Sequence, residues 1–457
     1  MLTYTIEEIA QVIGGTLLQG DPVTKIKGIH TDSRRAKPRE LFVALQGQQA
    51  DGHDFARKAI EQGASALLVS REITGIAPQI PVVLVKNTLQ ALQQLASHNR
   101  SRLNIPVVAV TGSNGKTSTK DMIAAVLNTR FKTLKTEGNF NNELGLPLTL
   151  LGLGEEHQVA VVEMGMRGPG EIDFLAGLAK PTGAVITNIG EAHLERLGSV
   201  ENIALAKTEV LAHIGRDGFA ILNADSPYLG ELARNCQGKV WLYSLEGIGD
   251  LQASNIRPEG TGVRFNISSP GGKEEIYLPV PGSHNVMNSL AAIGVGLQLG
   301  LQLEEIAQGL AQLCLTHSRL QILSSNGRVI INDTYNANPS STKAALKVLK
   351  ETARSRKIAV LGNMYELGDL EQSGHQEVGE AAAAIPVDYL ISVGNLAQWI
   401  TQGGLKGGLS QERVFQCQEN SEAVEVLGKI LKPGDTILVK GSRGMHMEYI
   451  VREIMKD

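Results

Sequence analysis

The sequence predicts an α/β protein of three units in series, and three observations carry that expectation. At 457 residues the chain is longer than one core usually organises, and two to four domains is the expected range. Short apolar runs recur without apolar–polar alternation, the pattern of parallel strands covered on both faces. Between them lie segments of helical periodicity, as in repeated strand–helix–strand units.

Residues 1–86 read as a small α/β unit. Thr5 to Glu8 fits a capping box opening a helix through Val12. Leu41–Leu45, Ala66–Val69 and Val82–Val85 read as strands, and Thr88–Arg100 as an amphipathic helix into the next unit. Residues 87–317 form the expected central unit, a parallel sheet carrying a phosphate loop. Its strands are Val107–Val110, Val159–Val162, Ala184–Thr187 and Ala220–Leu222, each followed by polar or glycine residues. A β-rich stretch, Val240 to Pro281, and a helical segment from Asn285 complete it. Residues 318–457 form a Rossmann-like third unit with strands Val329–Ile331, Ile358–Leu361, Tyr389–Val393 and Ile437–Val439.

Composition narrows the function classes. A net charge of −4 argues against bulk binding to nucleic acid or to an anionic membrane. Cys236, Cys314 and Cys417 are far apart and form no CxxC pair, which argues against a disulfide scaffold or a cysteine metal site. The first residues, MLTYTIEEIAQ, lack the basic and apolar regions of a secretion signal. The least charged stretch, Asn285 to Leu303, carries Asn288, Ser289, Gln298 and Gln302 and reads as a packed helix. A cytoplasmic protein is expected.

The strongest local signal is VVAVTGSNGKTSTK, Val107 to Lys120. An apolar strand runs into Gly112, Ser113 and Asn114, and Gly115-Lys116-Thr117-Ser118 opens a helix. Glycines let backbone N–H groups approach phosphate oxygens, and the helix N-terminus favours negative charge. Lys116 can offset charge on the outer phosphates, and the Thr117 hydroxyl can ligate Mg²⁺. The full P-loop pattern has glycine where this chain has Val110. The bland alternative is a tight strand–helix turn with an exposed lysine.

Glu163 ends the strand Val159–Val162, where open α/β sheets place ligand groups. A carboxylate beside a threonine hydroxyl suits Mg²⁺, although a solvated loop glutamate is the alternative. His193 follows another strand end, and a structural histidine is its alternative. Lys207 shares a helical stripe, within about Glu201 to Ile214, with Ile203, Val210, Leu211 and Ile214. A lysine facing inward there is paired, neutralised or modified, unless it snorkels to water. Asn139, Asn141, Asn142 and Glu143 crowd one loop, either to hold a polar substrate or to cap the next helix.

Together these segments resemble the Mur ligase family over essentially the whole chain. TGSNGKTS resembles the family's nucleotide loop, VVEMG its acidic strand end and EAHLE its histidine segment. AKTE, Ala206 to Glu209, resembles the segment whose lysine is carbamylated, which implies Lys207 as that residue. GSHNVMNSLAA resembles the HNxxN segment, implying that Asn285 and Asn288 lie toward adenine. The resemblance implies two metal sites, one on Thr117 and Glu163, the other on carbamylated Lys207 and His193. HTDSRR, LFVALQG and DGHDF resemble the region holding the uridine diphosphate end of the substrate, which places Asp32, Ser33 and Arg34 there.

DTYNANPSS, Asp333 to Ser341, with GNMYELG and KGSRGMHME, resembles the members that add D-alanyl-D-alanine to UDP-N-acetylmuramoyl-tripeptide. The implied chemistry is ATP-driven amide formation through an acyl phosphate, in peptidoglycan precursor synthesis. Asp333 and Arg319 would face the nucleotide, and Tyr335, Asn336 and Asn338 the dipeptide side. A monomer is expected, with no nucleic-acid partner and no membrane insertion. Two departures stand out: Ser318-Arg319 replaces a commoner Gly-Arg, loosening the turn, and Asn363 replaces an aspartate before Met364. The nearest rival is a member adding meso-diaminopimelate or lysine to the dipeptide precursor, against which the lack of a DNPR-type segment speaks. A P-loop kinase or NTPase, a UDP-sugar binder and a folate polyglutamate ligase are the more distant ones.

Overall fold

A computed structural model describes residues 1–47, 50–191, 194–316 and 318–456. Three large sheets follow one another along the chain. The first has strand order Thr16–Gln19, Val82–Leu84, Ala66–Val69, Glu40–Val43, Gly28–His30, with only the first pair antiparallel. The expected capping box forms: Thr5 Oγ1 accepts from the Glu8 N–H, and the Glu8 carboxylate accepts from the Thr5 N–H. It opens the helix Ile6–Ile13.

The second sheet has nine strands. Thr133–Lys135, Val159–Glu163, Val107–Thr111, Gly183–Ile186, Phe219–Asn223, Lys239–Ser244 and Leu251–Glu259 are successive parallel neighbours, and Gly262–Ser269 and Gly272–Leu278 extend them antiparallel. From Val107–Thr111 the chain first builds outward on one side, then returns at Gly183–Ile186 on the other. That reversal opens a crevice at the carboxyl ends of the strands, the usual ligand position in open α/β sheets. The helices Lys116–Leu127, Ser283–Gln298 and Leu303–Ala311 cover one face, burying Val108, Val110, Met122, Val126, Leu290 and Ile293. Aliphatic side chains buried this way contribute about 1.5–3 kcal/mol each.

The third sheet runs Gln321–Ser325, Arg328–Asp333, Thr436–Lys440, Lys357–Gly362, Tyr389–Val393, Val414–Cys417. Its first pair is an antiparallel hairpin and the rest is parallel. A single apolar cluster runs from Ile6, Leu41, Leu92 and Leu95 through to Val107, Leu146 and Ile186, so the first two sheets share a core. The third sheet keeps separate clusters on its two faces. No helix among the described residues is long and apolar enough to cross a membrane.

The helix expected from Glu201 to Ile214 is shorter. The α-helix is Val200–Thr208, followed by a 3₁₀ turn over Glu209–His213. Thr208 Oγ1 bonds back to the carbonyls of Ala204 and Leu205, which competes with the helical ladder. The Glu209 carboxylate turns away to accept from the N–H groups of Gly170 and Asp173, at the start of the helix Glu171–Ala179.

Candidate active site

Three adjacent strand ends build the site. In register, Glu163 stands beside Val110, and Ile186 beside Thr111. After Thr111 the chain turns at Gly112, φ 144°, where a Cβ would collide with Thr187 Oγ1. Gly115, φ 80°, lies against Asn288, whose Oδ1 would be 2.6 Å from a Cβ there. Both positions need glycine for backbone conformation and close approach.

The 187–190 segment pins the loop. Asn188 Oδ1 accepts from the Asn114 N–H at 2.9 Å, Thr187 Oγ1 donates to Asn114 O at 2.6 Å, and Ser113 Oγ bonds to Gly190. Gly115 at the N-cap of Lys116–Leu127 has no side chain to occupy the helix's first N–H groups. They are thereby left for an anion.

Charge accumulates around this point. Lys116 Nζ folds back to donate to Gly112 O at 2.8 Å and Ser113 O at 3.3 Å. Burial lowers its pKa, Glu163 raises it and Arg319 lowers it further. Arg319 stacks on Tyr335, 4.1 Å from guanidinium carbon to ring centre, with its Nε buried and unpartnered. Lys207 is 1% exposed, at the end of its helix. Burial, then the nearby Lys116 charge, drive its pKa well below the ordinary lysine value. The inward-facing reading of Lys207 is the one the structure adopts, and the snorkelling alternative is not. Cations gathered in a poorly hydrated site favour an anionic ligand.

Glu163 is 2% exposed. Its Oε1 accepts from Asn141 Nδ2 at 2.8 Å, while Oε2 is buried without a hydrogen-bond partner. A buried carboxylate oxygen left unmatched is unfavourable unless a cation faces it. With the buried Thr117, which lines the same cleft, the donor set is all oxygen and suits Mg²⁺. His193, the expected partner of Lys207 for a second metal, lies outside the described residues.

A cleft of ≈1200 Å³ opens over Lys116, Thr117, Glu163 and Arg319 between the second and third sheets, and Lys207 is not on its wall. Residues 113–118, Asn139, Asn141, Asn142 and Glu163 line one wall, with Asn285 and Asn288 beside them. Arg319, Asp333, Tyr335, Asn336 and Asn338 line the other. Several are already engaged. Asn142 Oδ1 accepts from the N–H of Gly145 at 2.8 Å, at the first residue of the next helix, Gly145–Leu151. Asn285 Nδ2 donates to Pro281 O at 2.7 Å. Asp333 accepts from the Leu320 N–H and, at 2.6 Å, from Lys440 Nζ. Asn338 caps the helix Pro339–Thr352, and its Nδ2 donates to Asn114 Oδ1 in the phosphate loop at 2.7 Å.

Asp32, Ser33 and Arg34 are not on this cleft. They follow the strand Gly28–His30 of the first sheet, where Arg34 pairs with Asp32 through two bonds of 2.8 and 2.9 Å. Asn363 braces a loop: Nδ2 donates to Asn395 Oδ1, and Oδ1 accepts from the Ala397 N–H. Ser318 does not loosen its turn. It takes the left-handed backbone, φ 64°, that glycine would adopt, and its carbonyl accepts from the Tyr335 N–H. Lys440, Asn188, Asn223 and Asp225 also line the cleft and were not singled out in the sequence. KGSRGMHME begins at Lys440, and Asn188 and Asn223 directly follow strand runs, whereas Asp225 carries no such signal.

Comparisons with known proteins agree over the same length. Models of the Mur ligase family, catalytic domain, of the Mur ligase middle domain and of the Mur ligase, glutamate ligase domain match residues 25–100, 110–296 and 318–443. The chain is 41% identical to the UDP-N-acetylmuramoyl-tripeptide–D-alanyl-D-alanine ligase of Bacillus subtilis (strain 168), covering 100% of this chain and 99% of that one. A crystal structure of MurF from Acinetobacter baumannii superposes with a TM-score of 0.91 at 34% identity, covering 100% and 99% of the two chains. The MurF ligase of Thermotoga maritima in complex with ADP superposes with a TM-score of 0.83 at 28% identity, covering 94% and 97%.

Proposed function

We infer the reaction from one premise: this chain belongs to the Mur ligase family. It is an ATP-dependent ligase of peptidoglycan precursor synthesis that joins D-alanyl-D-alanine to UDP-N-acetylmuramoyl-tripeptide. Within the structure, the observation that carries this reading is the meeting of Lys116, Arg319 and the unpartnered Glu163 Oε2 at one cleft between two sheets.

The tripeptide carboxylate attacks the γ-phosphorus of ATP, ADP leaves, and an acyl phosphate forms. The dipeptide amine then attacks the carbonyl carbon, gives up a proton and expels phosphate. Both steps bring anions together, so fixed cations and dipoles are the chain's main contribution. Lys116 exchanges its bonds to Gly112 O and Ser113 O for γ-phosphate oxygens, a charge-assisted gain. The N–H groups at the start of Lys116–Leu127 take the inner phosphates, and Arg319 approaches them from the opposite wall. Glu163 and Thr117 would hold Mg²⁺, which when bound supplies further positive charge to the phosphates. Asn285 and Asn288 lie toward the adenine, and Asp333 toward the nucleotide once its bonds to Leu320 and Lys440 rearrange. Asn139, Asn141, Tyr335, Asn336 and Asn338 shape the wall where carboxylate and amine meet. Asp32, Ser33 and Arg34 take the uridine diphosphate end, on the first sheet.

Burial and the Lys116 charge favour the neutral amine of Lys207, and that amine can add CO₂: an N–C bond forms, one proton leaves, and a carbamate results. That anion, with His193, would serve a second metal and be favoured by the nearby Lys116 charge. A carbamate resonance in ¹³C NMR after equilibration with ¹³C-bicarbonate, lost in Lys207→Ala, is expected; its absence removes this role. We place the enzyme in the cytoplasm as a monomer. ADP release with Mg-ATP and the UDP-linked tripeptide should depend on D-alanyl-D-alanine and yield the UDP-linked pentapeptide by mass. Release indifferent to the dipeptide would overturn the assignment.

A further inference from the structure

We propose that Asp121 is a positioning residue for this reaction, holding Arg319 at the phosphate site through Thr316. Asp121 lies on the phosphate-loop helix Lys116–Leu127, with a side chain 1% exposed. Its carboxylate grips the connection between the second and third sheets. Oδ2 accepts from the Thr316 N–H at 2.9 Å and from the Thr316 hydroxyl at 2.7 Å. Oδ1 accepts from Lys135 Nζ at 2.7 Å, and Lys120 Nζ stands 3.5 Å away. Burial raises this carboxyl, but Lys120, Lys135 and Thr316 outweigh it and leave the group below the usual range. A buried carboxylate with both oxygens engaged is a fixed point, because releasing Thr316 leaves an oxygen unsatisfied and releasing Lys135 leaves the charge less well paired.

Two residues beyond Thr316 the chain is fastened to the third sheet instead. The Tyr335 N–H donates to Ser318 O, and the Leu320 N–H donates to Asp333 Oδ1, each at 3.2 Å. Ser318 and Leu320 have φ of 64° and 46°, a left-handed backbone that side-chain-bearing residues keep only when their surroundings impose it. Arg319 stands between them, stacked on Tyr335 with its Nε buried and unpartnered on the cleft wall. The helix that presents Lys116 to a phosphate therefore also sets the position of Arg319, three residues past its grip on Thr316. The inference rests on Arg319 as the nucleotide contact proposed above.

Asp121→Asn disturbs the pairing with Lys120 and Lys135 and can fail to fold, so Thr316 is the place to test. Thr316→Val removes one donor and keeps the ion pairs; Thr316→Ser keeps the donor. With Mg-ATP varied at saturating tripeptide and dipeptide, Thr316→Val should lower kcat/KM about 3- to 10-fold, the worth of one part-buried hydrogen bond to a charged group. Thr316→Ser should stay close to the parent. In an Arg319→Ala background Thr316→Val should add nothing. Multiplying effects of Thr316→Val and Arg319→Ala, or a Thr316→Val enzyme equal to the parent, would overturn the proposal. An Arg319→Ala enzyme with unchanged kcat/KM would remove Arg319 and the proposal together, while the ligase reaction itself stood.

Discussion

The two junctions of this chain are built from different chemistry. Between the first and second sheets the apolar core is continuous, and Asn99 and Arg100 on the helix Thr88–Ser101 are buried with their bonds made. Asn99 bonds to the Tyr4 hydroxyl and to the carbonyls of Leu150 and Leu153; Arg100 bonds to the carbonyls of Ala179, Leu103, Ile105 and Lys180. Between the second and third sheets the apolar clusters are separate, and the contacts include Asn338 on Asn114 and Thr316 on Asp121. A water-excluding junction resists opening, whereas a few hydrogen bonds around a cleft can exchange for ligand. Substrate-driven closure is therefore expected at the second junction and rigidity at the first.

The widest separation of the two junctions comes from Lys116→Ala. Steady-state assays should show kcat/KM lower by about 10³-fold, with only a small shift of the urea midpoint, since just two part-buried bonds to loop carbonyls are lost. Asn99→Ala should do the reverse. It strands the Tyr4 hydroxyl and two carbonyls, lowering stability by about 3 kcal/mol in urea titrations, with turnover of the folded enzyme retained. If Asn99→Ala abolished turnover in folded protein, the first junction would not be the passive one.

His284 gives a pH test at the second junction. Burial pushes its pKa down to about 4, from an ordinary 6.5, with Asp333 raising it and Lys440 and Lys347 lowering it. The folded protein thus keeps this imidazole neutral, while the unfolded chain protonates it below about pH 6.5. Its contribution is complete above that pH and is lost as pH falls from 6.5 toward 4. An NMR titration of His284 should place its midpoint near 4, and His284→Asn should flatten that part of the stability profile. The smallest effect is expected from Ser318→Gly. Relief of the left-handed strain and the freer unfolded chain oppose each other, so the stability change should stay within about 1 kcal/mol.

The buried strands were legible because they satisfy one rule everywhere. Val107–Thr111, Val159–Glu163, Ala66–Val69 and Tyr389–Val393 are interior and apolar on both faces. The strands without that signature include Thr16–Gln19, Gly28–His30, Thr133–Lys135, Gln321–Ser325 and Val414–Cys417, which lie at sheet edges. There a short, half-exposed run carries polar residues and loses its signature. Helix ends were less legible where side chains intervene, as Thr208 and Glu209 do.

By itself the sequence determined what depends on neighbours along the chain: the apolar runs, the Thr5–Glu8 cap, the glycines before Lys116, and the inward stripe of Lys207. The order of its motifs determined the family. Only the tertiary structure decided what depends on approach across hundreds of residues. It set Asn338 on Asn114, 224 residues apart, and Thr316 on Asp121, 195 apart. It also engaged both oxygens of Asp333 and left Glu163 Oε2 without a partner. Periodicity reports which face of an element is buried; it carries no record of which distant polar group will meet that face, because the partner is chosen by the packing of whole sheets.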